Sequence, residues 1–196
     1  MNTIARGLGL LLTLGIAACA TAPPPTLYKL PLPSPVDSSD DRALTIAIAD
    51  VELPAYARSN LIASIDADYR IDLDDNHRWA SPPAEAITRT LAAHLERQLD
   101  ADVLVRPYPR TFQPQLTVTV QFDEFVRSAD GAALMRGRAV LDIAGSRGIE
   151  IVRFSIRQSA SATRIYSAYM TGVSKGLMQL AERIDTAISA SLPVRP

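Results

Sequence analysis

The chain has 196 residues, of which 47% are hydrophobic and 21% charged, and its formal net charge is −1 at pH 7. This composition is ordinary for a soluble fold, and the length is sufficient to bury a core. The balanced charge gives no reason to expect a nucleic acid as partner. Because Cys19 is the only cysteine, a disulfide framework is excluded and the fold has to depend on packing.

The N-terminal residues resemble the signal of a bacterial lipoprotein. Arg6 supplies a positive charge, and residues 7–18 form an apolar run too short to span a bilayer with any margin. Leu14–Cys19, LGIAAC, is similar to a lipobox, in which the chain is cut before the cysteine and acyl chains such as palmitate are attached. We expect a signal peptide over residues 1–18 and lipidation of Cys19, with an ordinary secretory signal or an uncleaved membrane helix as alternatives.

The residue after Cys19 bears on which membrane holds the protein. Ala20 stands where an aspartate usually means retention at the inner membrane in enteric bacteria. By that analogy we expect the protein to be anchored in the outer membrane, with its domain in the periplasm. In bacteria whose sorting rules differ, the inner membrane is the alternative. Each buried methylene contributes about 0.8 kcal/mol, so several acyl chains hold a domain almost permanently.

Residues 19–42 have the composition of a tether. Six prolines and a polar run favour an extended, poorly ordered segment. About twenty such residues at about 3.1 Å each reach roughly 60 Å. Tyr28–Leu30 is an apolar island that we expect to dock on the folded domain. We assign residues 43–196 to a single domain.

Hydrophobic periodicity divides that domain into strands and two helices. In the first half, it predicts a strand at 44–48, one bent or two short strands over 62–71 with Asp66 and Asp68 at the bend, and a strand at 103–105. Ser81 is expected to cap a helix that ends near Asp100. The buried stripe of that helix recurs every four residues: Ile87, Leu91, Leu95 and Leu99.

The second half alternates more clearly. Strands are predicted at 116–122, 135–143 and 152–156, with a two-residue hairpin turn at Asp130–Gly131. A second helical stripe ends before Pro193 and contains Val173, Leu177, Leu180, Ile184 and Ile188. We therefore predict an α+β fold: a two-layer sandwich in which both helices cover one face of a mainly antiparallel sheet.

The opposite face of that sheet carries charged residues. A two-residue turn places Asp123 opposite Arg138, a favourable pair, and puts Arg136 near Arg157. Two interpretations stay open: a solvated face with balanced charges, or an interface with another subunit or a partner. Burying these arginines requires acidic partners.

No catalytic or metal-binding motif is apparent. His94 borders the apolar stripe of the first helix. Asp72–Asn76 begins like a calcium loop, but His77 occupies the position that needs glycine and Pro83 the position that needs glutamate. We therefore predict no enzyme activity, no metal site and no cofactor. An unrecognised hydrolase stays open as an alternative without positive support.

Short motifs spread along the chain resemble the PqiC/YmbA family. Pro54, Tyr56 and Arg58 are similar to its P-x-Y-x-x-R segment, with a spacing one residue tighter. His77–Pro83 is similar to its R-W-A-x-P-L segment, which opens a helix, with Pro83 in place of the usual leucine. These motifs and the lipobox follow the family's order, and the likeness covers essentially the whole mature chain.

The resemblance implies an auxiliary lipoprotein of an ABC-type intermembrane transport system that carries lipids between membranes. Such a protein docks the far end of an MCE-domain bridge protein and forms a homo-oligomeric ring, without chemistry of its own. The candidate partner-binding residues are Tyr56, Arg58, Arg78, Trp79, Arg136, Arg138 and Arg157, and the alternative for Trp79 is a core anchor.

Other function classes stay open. A ring or pilotin-like assembly lipoprotein of a secretion or export system is the main alternative. A lipid-modifying enzyme or a lipid-binding module with a deep apolar cavity is less supported.

Overall fold

The computed structural model describes residues 23–35, 44–49, 51–145, 148–159 and 164–191. In this part of the chain the backbone forms eight strands, two long helices and a short 3-10 helix at Ala55–Ala57. In chain order the elements are β1 Thr26–Tyr28, β2 Leu44–Ile48, β3 Leu61–Ile65, β4 Ile71–Trp79, α1 Pro83–Leu99, β5 Ala101–Val105, β6 Leu116–Ser128, β7 Ala133–Ile143, β8 Ile149–Gln158 and α2 Ile165–Ser191. Neither of these helices is both long and apolar enough to cross a membrane.

One sheet contains all of these strands and is organised around the long strand β6. Strands β7 and then β8 follow one edge of β6 in antiparallel pairing. The other edge is shared: β2 pairs with the beginning of β6 and β3 with its end, both in parallel. Beyond β2 lies β5, and beyond β3 lie β4 and then β1.

The two helices contact each other and pack on the sheet, α1 against β2 and β5, and α2 against β7 and β8. The predicted α+β fold, with two helices on a sheet, is confirmed. The sheet is mixed: β3–β4, β6–β7 and β7–β8 are antiparallel, and the four other described pairings are parallel. Parallel pairing needs distant crossover connections, which hydrophobic periodicity does not reveal.

Both predicted helical stripes lie in the core. Each of their residues is buried, and six of them have no exposed surface: Ile87, Leu91, Leu95, Val173, Leu177 and Ile184. The predicted cap of α1 is wrong, because Pro82 occupies the N-cap position and no side chain caps the helix there. Pro83 follows as the first helical residue, where a proline is tolerated because the first helical amides have no partner within the helix. The helix ends at Asp100, which has a left-handed φ of 48°.

The turn between β6 and β7 has three residues rather than the predicted two. The N–H of Ser128 donates to the carbonyl of Ala132, and the N–H of Gly131 donates to Ser128 O, both at 2.9 Å. Gly131 has a φ of 85°, which closes this longer turn and which glycine adopts without strain.

The predicted register of this hairpin is therefore wrong. The longer turn shifts the pairing by one residue, and a bulge between Phe122 and Glu124 shifts it again. Arg138 lies opposite Gln121 instead of Asp123, and Arg136 lies opposite Glu124. The alternation itself is confirmed, because the arginines stay on the solvent face of β7.

The residues expected to form one or two short strands over 62–71 form β3 and the start of β4. Asp66 builds the turn between them, because its Oδ1 accepts the N–H groups of Asp68 and Arg70 at 2.9 Å each. Tyr69 adopts a positive φ of 62° in this turn. Strand β4 then continues to Trp79 and includes the residues that resemble a calcium loop.

Candidate functional site

The N-terminal segment docks on the domain over residues 26–34. Strand β1 pairs in parallel with the end of β4, and Tyr28 lies opposite Trp79. Leu30 is 3% exposed and packs in the main core, so the predicted docking of Tyr28–Leu30 is confirmed. Three hydrogen bonds add to this contact: Ala80 N to Tyr28 O at 2.8 Å, Ser174 Oγ to Pro31 O at 2.9 Å, and Arg97 Nη1 to Ser34 O at 3.2 Å.

A cluster of polar and aromatic side chains, which we call the latch, surrounds the docked strand. Its members are Tyr28 of β1, Asp74 and His77 of β4, Arg127 of β6 and Tyr166 of α2. The hydroxyl of Tyr166 donates to Asp74 Oδ2, and His77 Nδ1 lies 2.9 Å from the same oxygen. The latch therefore joins four elements at the point where the N-terminal segment enters the sheet.

Ring contacts complete the latch. The His77 ring stacks on Tyr166 with 3.8 Å between centroids, and the Tyr28 ring lies 5.4 Å from Tyr166. The guanidinium of Arg127 lies 5.0 Å from the centre of the Tyr166 ring, a cation–π distance. The rings of Tyr28, His77 and Tyr166 thus form one set of mutual contacts.

The protonation states in the latch favour this arrangement. Burial alone raises the pKa of Asp74, but hydrogen bonds from Tyr166, the Asn76 amide and His77 outweigh it and hold the pKa below its ordinary value. Burial, followed by the hydrogen bond to Asp74, raises the pKa of Tyr166 to about 12. Asp74 therefore stays a carboxylate and Tyr166 a phenol donor.

No pattern in the sequence predicted the latch. Residues three apart on a regular strand point to opposite faces, so Asp74 and His77 are not expected to meet. They meet because the register of β4 against β3 shifts between these positions, with Ile62 opposite Asp74 and Leu61 opposite Arg78. The remaining members come from distant parts of the chain.

The structure brings three predicted partner-binding residues together. Arg136, Arg138 and Arg157 lie on the exposed sheet face, opposite the helices; we call them the basic face. Each has a polar neighbour: Arg136 Nε lies 3.8 Å from Glu124 Oε2, Arg138 Nε donates to Gln121 Oε1 at 2.8 Å, and Arg157 Nη2 donates to Asp130 Oδ2 at 2.6 Å. These side chains are exposed and available to an acidic partner.

Tyr56 and Arg58 lie away from the basic face, in the loop between β2 and β3. The Tyr56 hydroxyl accepts the N–H of Phe125 at 3.3 Å, and Arg58 Nε donates to Leu53 O at 2.9 Å. Burial raises the pKa of Tyr56, and the bond from Phe125 opposes part of that rise. Both side chains thus shape this loop, although Arg58 is also exposed.

Arg78 and Trp79 occupy the end of β4. Arg78 Nε donates to Asp75 O at 3.1 Å, within its own strand. Trp79 is 3% exposed, and its ring packs against Phe125 and Tyr169 at centroid distances of 6.0 and 6.1 Å. The structure therefore places Trp79 in the core, the alternative given for it above. Cys19 lies outside the described residues.

Two further features concern a possible ligand or metal site. A cleft of about 400 Å³ lies beside the first turns of α1 and the end of β5, and its lining includes Thr88, Val105, Pro107 and the ion pair of Glu85 with Arg89. Within the described ranges, no group of three or more histidines, cysteines or acids could hold a metal ion.

Comparison with known protein families identifies the chain. The model of the ABC-type transport auxiliary lipoprotein component family matches residues 28–185. The protein belongs to this family. The match begins at Tyr28, the last residue of the docked strand, and includes all members of the latch. A comparison with curated proteins found no match.

Solved structures share the fold of this auxiliary lipoprotein component. An uncharacterized protein is 23% identical with a TM-score of 0.67, and protein XCC0632 from Xanthomonas campestris, of family DUF330, is 12% identical with a TM-score of 0.65. Each comparison covers 85% of this chain and 100% of the other. A PelC dodecamer from Paraburkholderia phytofirmans is 11% identical over 77% of this chain and 93% of its own, with a TM-score of 0.38.

Proposed function

We propose that this protein is an outer-membrane lipoprotein that serves as a non-catalytic auxiliary subunit of an MCE/ABC-type intermembrane lipid transport system and so maintains envelope integrity. The family match over residues 28–185 carries the proposal. The lipobox ending at Cys19 supports an acyl anchor after removal of residues 1–18, and Ala20 supports the outer membrane. The folded domain then lies in the periplasm.

The proposed partner is the MCE-domain bridge protein, bound at its far end by a homo-oligomeric ring of this lipoprotein. The basic face supports a protein contact, because Arg136, Arg138 and Arg157 are exposed on the same face of the neighbouring strands β7 and β8. Complementary acidic groups on the partner would steer its approach and fix its register.

Detergent co-purification tests this function. The lipoprotein is isolated from membranes, its N-terminal mass is determined, and the proteins bound to it are identified. We expect a triacylated Cys19 and recovery of the bridge protein, with loss of that protein in an Arg138→Glu variant that still folds. Recovery of secretion or export components instead favours the assembly-lipoprotein alternative. An unmodified Cys19 with the leader retained contradicts the proposal.

A further inference from the structure

The path from the proposed anchor to the folded domain is short. Thr26 is the first residue paired in the sheet, seven positions after Cys19. Even a fully extended chain covers at most about 25 Å over that interval. This inference rests on the proposed function, because it takes Cys19 as the lipidated residue. The domain then cannot stand far from the bilayer, and one of its surfaces has to lie close to the lipid.

The direction of β1 indicates which surface that is. Because β1 runs parallel to β4, its first residue, Thr26, is the one nearest the end of the sheet where β4 begins. The turn at 66–70 lies at that end, next to the β6–β7 turn, because Ile65 pairs with Ser128. Helix α2 begins there as well, with the Ile165 side chain against Gly131. We call this end, comprising the two turns and Ile165, the anchored end.

The anchored end exposes large apolar side chains. Tyr69 is 86% exposed, and Ile71 and Ile165 are 38% and 39% exposed. Tyr69 also holds a φ of 62°, which is unusual for a bulky residue and commonly marks a functional constraint. The bonds from Asp68 N and Arg70 N to Asp66 Oδ1 hold the turn in this form.

We propose that the anchored end rests on the lipid surface, with the Tyr69 ring at the level of the headgroups and Ile71 and Ile165 beside it. A tyrosine ring with an apolar body and a polar hydroxyl is suited to that depth. Asp66 and Asp68 flank the ring together with Arg70, whose Nε lies 3.6 Å from Asp66 Oδ2. This turn therefore has no excess of positive charge to attract anionic lipid, and the surface it fits is zwitterionic. The apolar contacts supplement the acyl anchor and orient the domain.

Fluorescence quenching in vesicles tests this orientation. Once Cys19 is acylated the chain has no other thiol, so Tyr69→Cys introduces a single labelling site. Ile149→Cys is the matched control: Ile149 is 59% exposed and pairs with Asp142 near the opposite end of the sheet. The acylated proteins are placed in phosphatidylcholine–phosphatidylethanolamine vesicles that contain a lipid with a nitroxide headgroup. We expect at least threefold stronger quenching at position 69 than at position 149.

A second variant tests whether the Tyr69 ring itself holds this end against the lipid, with the label placed elsewhere. In an Ile165→Cys background, Tyr69→Gly removes the ring from a position whose φ suits glycine. We expect quenching at position 165 to fall at least twofold, with no decrease in the melting temperature.

The outcomes are distinct. An unmodified Cys19 in the intact mass overturns the proposed function and removes the anchor from this inference. Equal quenching at positions 69 and 149 in acylated protein overturns the inference alone. The inference is also overturned if quenching at position 69 depends on high protein density and position 69 cross-links to another copy. In that case a second copy of the protein, and not lipid, covers the anchored end.

Discussion

The docking of the N-terminal segment gives a prediction that is specific to one side chain. Leu30 is 3% exposed, whereas Leu32, two positions later, is 52% exposed. A Leu→Ala change in a packed site costs about 2–5 kcal/mol. A short segment can relax around the gap, so we take the lower limit, about 2 kcal/mol, for Leu30→Ala. At about 1.4 kcal/mol per tenfold change, undocking of β1 then becomes about 30-fold more frequent.

Amide hydrogen exchange measures this effect directly. The N–H of Ala80 donates to the carbonyl of Tyr28, so it exchanges when β1 leaves β4. We expect exchange at Ala80 to accelerate about 30-fold in Leu30→Ala and to stay unchanged in Leu32→Ala. The N–H of Ser128 in the β6–β7 hairpin reports on the rest of the fold and should accelerate far less. Equal acceleration at both amides, or a change below threefold at Ala80, would refute the reasoning.

Three further predictions concern the sheet and the latch. Gly137→Ala should destabilise the fold by about 3 kcal/mol or more in urea unfolding, because its Cβ would lie 2.0 Å from Gln121 O, whereas Gly148→Ala, with nothing within 4 Å, should be close to neutral. Asp74 has a lowered pKa when folded, so its carboxylate stabilises the fold above the unfolded pKa of about 3.9, and this contribution is lost as the pH falls through the folded pKa. Asp74→Asn should therefore lower the melting temperature at neutral pH, and the gap to the wild type should narrow in acid; a gap that widens in acid contradicts the latch. Arg138→Glu should change stability by less than about 1 kcal/mol while abolishing capture of the bridge protein, because its neighbour contacts are exposed; unaltered capture argues against the basic face.

Periodicity predicted the elements that bury one face, and it did so because burial alone determines their pattern. The stripes of α1 and α2 and the alternation along β6, β7 and β8 belong to this group. Strand β4 was harder to predict, since Asp72, Asp74 and Asp75 are poor strand formers and only its last residue is deeply buried. Its pairing with β1 and β3 overrides that propensity.

Details that depend on one backbone conformation were not predictable from the sequence. The register error at Arg138 arose from a single extra turn residue with positive φ at Gly131 and from the bulge near Asp123.

The candidate site has two parts, and they differ in how far the sequence could predict them. The basic face follows from the period of two along β7, and the register shift in β4 brings the latch together. Only the first of these is present in the local sequence pattern.

In the proposed arrangement, the latch and the anchored end together determine how the domain is oriented. A free tether of 24 residues would let the domain tumble above the bilayer, and any face could meet a partner. Docking from Thr26 onward removes most of that freedom, because only seven positions then separate Cys19 from the sheet. In the proposed orientation β7 and β8 extend away from the bilayer, and the basic face points along the membrane plane rather than towards the membrane. An arginine surface in that direction is placed to meet a neighbouring subunit or a bridge protein beside it, so weakening the latch should reduce partner capture even when all three arginines are intact.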